Sequence, residues 1–172
     1  MATVEKKFCE TARGSIASEV LSLNVNWTNP VSTNGRPFTP LHTMAMSGLS
    51  NCFWYPNIDV NLKEEFGQTP LSLGCENGKE SVVRVMLKDP RVDVALDDNR
   101  GRTPLWWASY IRKDEVVEWL IASGRGLGDV KSKKGKSVAD GRDYTALEIA
   151  RENKTEFVSL LERFIANPTN PS

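Results

Sequence analysis

Histidine is nearly absent from this chain: His42 is the only one in 172 residues, so no His-rich metal cluster can be built. Cysteine is scarce too. Cys9, Cys52 and Cys75 are odd in number and show no metal-type pairing. No apolar run approaches the roughly 18 residues of a membrane-spanning helix, and Met1-Ala2-Thr3-Val4-Glu5-Lys6-Lys7 has no apolar signal-peptide core. Nor does either sign of charge dominate: 22 Lys+Arg stand against 22 Asp+Glu, which speaks against nucleic acid or an acidic membrane surface as the partner. The expectation is a reduced, soluble, monomeric intracellular protein, cytoplasmic with the nucleus also open to it.

Catalytic patterns are missing as well. Gly135-Lys136-Ser137 ends like a phosphate-binding loop, but position 130, where that loop needs Gly, is Val. Gly124, Gly126 and Gly128 alternate without a strand–helix frame around them. His42 has no Ser or Cys at a spacing that would make a triad, and Cys52 has no base to activate its thiol. The sequence therefore predicts no enzyme, no cofactor and no metal.

What the chain does have is a recurring turn. Thr-Pro-Leu appears at Thr39-Pro40-Leu41, Thr69-Pro70-Leu71 and Thr103-Pro104-Leu105, with Thr145-Ala146-Leu147 as a variant, at spacings of 30, 34 and 42 residues. A Thr hydroxyl can accept a bond from an orphan helix amide, and Pro at the first helical position lacks an N–H that the helix does not need. Gly lies two before Thr at Gly67 and Gly101 and nine after it at Gly48 and Gly78, where a first helix must end. Val116, Val117, Leu120 and Ile121 repeat at helical spacing, giving turn, short helix, turn, longer helix. Neither helix is long enough to hold itself together in water.

A period near 33 with this turn resembles the ankyrin repeat. The resemblance implies an all-α solenoid of stacked helix-turn-helix units with β-hairpin or turn tips, as one domain over residues 1–166. Its parts are a degenerate N-terminal cap (4–27), about four repeats (35–64, 65–98, 99–140, 141–166) and a flexible tail (167–172). The first repeat's second helix, residues 49–56, is expected to shrink to a turn plugged by Phe53 and Trp54. Arg112 and Lys113 replace the usual helix-ending Gly. The Gly- and Lys-rich stretch 124–136 is expected to be a long mobile loop. Of the tryptophans, Trp106 and Trp119 read as packing, and one of Trp106 and Trp107 as partly open.

The resemblance also implies a non-enzymatic scaffold that binds another protein or peptide on its concave face. Carried over by position, the hairpin tips supply Arg36, Phe38, Phe66, Gln68, Arg100, Arg102, Arg142 and Tyr144. The first helices supply Met46, Glu76, Asn77, Tyr110 and Ile111, and Trp107 is added to them. Aromatic residues and arginine are the types that dominate interface hot spots. The alternative is a regulatory subunit or adaptor that docks or localises through the Lys-rich stretch. His42 is expected to tie neighbouring turns together, Cys75 to fill the core, and Asn26 and Asn61 match the asparagines that such repeats can have hydroxylated.

Overall fold

The computed structural model describes residues 39–48 and 58–167. The expected cap 4–27, the shortened helix 49–56, Arg36, Phe38, Cys9, Cys52, Asn26 and the tail beyond Asn167 lie outside the described residues. Within them the chain forms α1 (Pro40–Ser47), α2 (Pro70–Glu76), α3 (Glu80–Leu87), α4 (Pro104–Tyr110), α5 (Asp114–Ala122), β1 (Gly135–Lys136), β2 (Asp143–Tyr144), α6 (Ala146–Glu152) and α7 (Val158–Ala166).

One device starts α1, α2, α4 and α6. Thr39, Thr69, Thr103 and Thr145 sit in extended backbone, and each hydroxyl accepts the amide three residues on, from His42, Ser72, Trp106 and Glu148. Pro follows the first three caps. These helices of seven or eight residues are about two turns long, so their stability comes from their neighbours. α1 packs on α2, α2 on α4 and α4 on α6, while α3 packs on α5 in a second layer. Leu71, Val82, Met86, Leu105, Val117 and Leu120 are among the side chains buried between the layers. Each contributes about 1.5–3 kcal/mol on burial. Cys75 belongs to this core, and burial pushes its thiol well above the usual cysteine range.

The first helices end where the chain turns left-handed. Gly48 (φ 79°) and Gly78 (φ 60°) make that turn without steric cost. Arg112 (φ 59°) and Lys154 (φ 52°) make it nine residues after Thr103 and Thr145 with a Cβ in the way.

The stretch 124–136 differs from the mobile loop expected of it. Arg125 donates to the carbonyls of Asp89 (3.0 Å), Pro90 (3.1 Å) and Val92. Leu127 is buried. Asp129-Val130 continues the series Asp59-Val60 and Asp93-Val94, with Val130 packed on the core. Lys133 then pairs with Asp97 at 2.6 Å, and Gly135–Lys136 pairs antiparallel with Asp143–Tyr144. Gly and Lys composition suggests a loop, but guanidinium-to-carbonyl bonds and a two-residue ladder bind the segment to the stack.

Candidate partner-binding face

Three hairpin tips are built around an acid five residues before the cap, at Thr69, Thr103 and Thr145. Glu64 Oε1 accepts the amides of Phe66 (2.9 Å) and Gln68 (3.0 Å). Asp98 Oδ1 accepts those of Arg100 (2.9 Å) and Arg102 (3.0 Å). Asp140 Oδ1 accepts that of Arg142 (3.1 Å). Sequence reasoning passed over these acids, although their common distance from Thr69, Thr103 and Thr145 was the signal. The second carboxylate oxygens differ. Asp98 Oδ2 takes Arg102 Nε at 2.7 Å and the Trp107 indole N–H at 3.3 Å. Glu64 Oε2 is buried and accepts no hydrogen bond from the described residues.

The tips are tied to one another and to the helices. Asn99 N–H donates to Phe66 O (2.9 Å), its side-chain amide to Glu65 O (3.0 Å), and Lys136 N–H to Arg100 O (2.9 Å). Gly101 (φ 77°) has to be Gly twice over, since a Cβ there would stand 2.5 Å from Lys134 O. Asn61 spans two units by donating to Arg91 O (2.8 Å) and accepting from Asp93 N (2.7 Å).

His42 bridges turns as expected. Thr39 N–H donates to Nδ1 at 3.2 Å, so Nδ1 is an acceptor and Nε2 carries the proton given to Gln68 O at 3.2 Å. The ring is neutral: burial lowers its pKa from 6.5 to about 4, only partly opposed by the Gln68 and Leu62 carbonyls and Asp59. Trp106, at the equivalent position, donates from Nε1 to Tyr144 O at 2.9 Å. In the last unit that position is Glu148, which turns back onto Thr145 N (2.7 Å) and meets Lys134 Nζ at 3.5 Å. The Thr145 amide is the main cause holding its carboxyl below the usual range. Beside it lies an open hollow of about 490 Å³ lined by Asp143, Tyr144, Glu148, Arg151, Glu152 and Lys154.

Not every residue expected on the face reaches the surface. Gln68, Arg102 and Trp107 are 3%, 6% and 3% exposed. Gln68 is turned in to Glu76 Oε2 at 2.6 Å, and Arg102 lies between Asp98 and the Trp107 ring, 4.2 Å from its centroid. The expectation that one tryptophan of the pair lies open also fails: Trp106 and Trp107 meet edge to face at 5.3 Å, both buried. Phe66, Asn77, Arg100 and Arg142 are exposed, and Met46, Glu76, Tyr110, Ile111 and Tyr144 are half-buried. Tyr110 stacks on Trp106 at 5.1 Å, and the Tyr144 hydroxyl donates to Asp140 Oδ2 at 2.7 Å. Trp119 is half-buried with Arg84 over its ring at 4.5 Å.

The capped helix pairs, the bridging imidazole and the laddered tips coincide with a match to the family model for ankyrin repeats (3 copies), which spans residues 41–134, more than half of the chain. The chain belongs to the ankyrin-repeat family. Proteins of this family generally bind other proteins. No curated protein sequence matches this one. The ankyrin match ends at 134, inside the insertion, yet Thr145 caps α6 with the geometry of the earlier repeats. Among the described residues no group of His, Cys, Asp or Glu side chains converges on a metal position, and no helix is long and apolar enough to cross a membrane.

Proposed function

We propose that this ankyrin-repeat protein is a non-enzymatic binding module that takes another protein or peptide along its hairpin tips and first helices. The observation that carries the reading is the row of exposed Phe66, Arg100 and Arg142 beside half-buried Tyr110 and Tyr144. Large aromatic and guanidinium groups open to water on one face are the side chains an interface covers with most gain. Arg102, Gln68 and Trp107 serve this face from beneath, holding the tips in place. The balanced charge supports a protein partner over nucleic acid or membrane, and the charged final repeat around Glu148, Arg151 and Glu152 supports a stack that ends there as a monomer.

The test replaces Arg100, Tyr110 and Arg142 together by Ala and compares crosslinked partners in the native cell with those of the unaltered chain. Loss of one or a few partners, with helical content unchanged, is the expected result. An identical partner list would reject the face.

A further inference from the structure

We infer that the inserted hairpin makes the tip edge a docking site for an extended acidic peptide with an apolar residue at each end. The inference rests on the partner-face reading above and gives that partner a chemistry. Among the described residues the exposed large hydrophobic side chains are Phe66 (39%) and Val138 (57%). Both lie on one edge. Asn99 N–H bonds Phe66 O and Lys136 N–H bonds Arg100 O, so Phe66, Arg100 and Lys136 follow on successive rungs, and Val138 stands two residues past Lys136. Beyond Lys136 the next rung carries Asp143, and Val138 lies past Lys136 in the turn that closes β1–β2.

The two cations between the apolar ends are both exposed. Lys133 is taken by Asp97, Lys134 by Glu148, and Arg142 leans on Asp140 at 3.9 Å. Arg100 and Lys136 form no ion pair among the described residues. Asp143 stands opposite Lys136 in the β1–β2 register without pairing with it. Residues 124–144 carry six Lys or Arg against three Asp, a surplus of three that the rest of the chain offsets with 16 Lys+Arg against 19 Asp+Glu. An extended acidic segment would set its carboxylates against Arg100 and Lys136, where a guanidinium can grip two oxygens at once, and its apolar ends would cover Phe66 and Val138.

The probe is a fluorescein-labelled Leu-Glu-Glu-Glu-Glu-Leu peptide, titrated by anisotropy against the full chain, with the glutamine counterpart alongside. The glutamate peptide is expected to bind at least about tenfold tighter than the glutamine one, and more weakly as salt rises from about 50 to about 200 mM. Arg100→Glu with Lys136→Glu should remove at least about tenfold of that affinity and leave the circular dichroism unchanged, since both side chains are exposed. Lys88→Glu, on the exposed end of α3, should have no effect. Failure of the glutamate peptide to bind, equal binding of both peptides, or an unaltered affinity in the double variant would overturn the inference. So would tighter binding of a single-stranded oligouridylate, which would make the edge a nucleic-acid site. A photo-crosslinker at position 110 separates the two readings: capture that persists there while the glutamate peptide does not bind removes this docking edge alone, and loss of both removes the partner face with it.

Discussion

Trp106 Nε1 donates to the carbonyl of Tyr144 at 2.9 Å, and this bond does for the third repeat what His42 does for the first when it donates to Gln68 at 3.2 Å. Each reaches the residue just before the next repeat's cap Thr. The middle repeat has Ser72 there, too short to cross, and its hydroxyl stays with Thr69 at 3.3 Å. Trp106→Phe keeps most of the packing and removes the donor. It should destabilise the fold by about 1–2 kcal/mol, the cost of leaving a half-buried partner unmet, and chemical denaturation will read it. An unchanged midpoint would mean that water replaces the indole N–H.

His42 makes stability depend on pH in one direction. Its folded pKa, about 4, lies below the ordinary 6.5, so between those values the unfolded chain binds more protons. The contribution is fully present above about pH 6.5 and is lost as pH falls toward 4. The loss reaches about 3 kcal/mol, from roughly 1.4 kcal/mol per pKa unit. Denaturant midpoints at pH 7, 5.5 and 4 should fall accordingly, and His42→Gln should flatten that part of the profile.

Arg112 holds a left-handed turn that Gly48 and Gly78 hold elsewhere at no steric cost. Arg112→Gly should raise stability by about 0.5–1 kcal/mol, because the Cβ clash outweighs the added freedom of the unfolded chain. The exposed bond from Arg112 to Asn153 Oδ1, at 3.3 Å, is a small loss against it. Gly78→Ala should move the melting temperature the other way.

Gly135 lies against Arg102 and Trp106. A Cβ added there would stand 2.5 Å from Arg102 Cγ and 3.0 Å from both Arg102 Cα and Trp106 Nε1. Gly135→Ala should therefore cost about 1–3 kcal/mol and lift β1 from the stack. Faster trypsin cleavage after Lys133, Lys134 or Lys136 would report the release, and cleavage at the parent rate would show that the hairpin is held elsewhere.

How much of this was legible beforehand follows from the range of each interaction. A Thr cap, an N1 Pro and a helix-ending Gly act within four residues, so their recurrence along the chain announced the repeats and the helix starts, while the bridging role of His42 came from the family resemblance. Cys75 followed as a small residue on the inner helix face. The buried tip residues were not legible because their partners depend on neighbouring side chains. Arg102 reads as a surface cation until Asp98 and Trp107 close around it.

The repeat frame was thus decided by the sequence, since local hydrogen bonding and helical period are properties of short stretches of chain. The tertiary structure decided which tip residues face water and where the insertion lies. Arg125 could reach the carbonyls of Asp89, Pro90 and Val92 only after the third repeat had stacked on the second, and contacts of that kind carry no periodic signature.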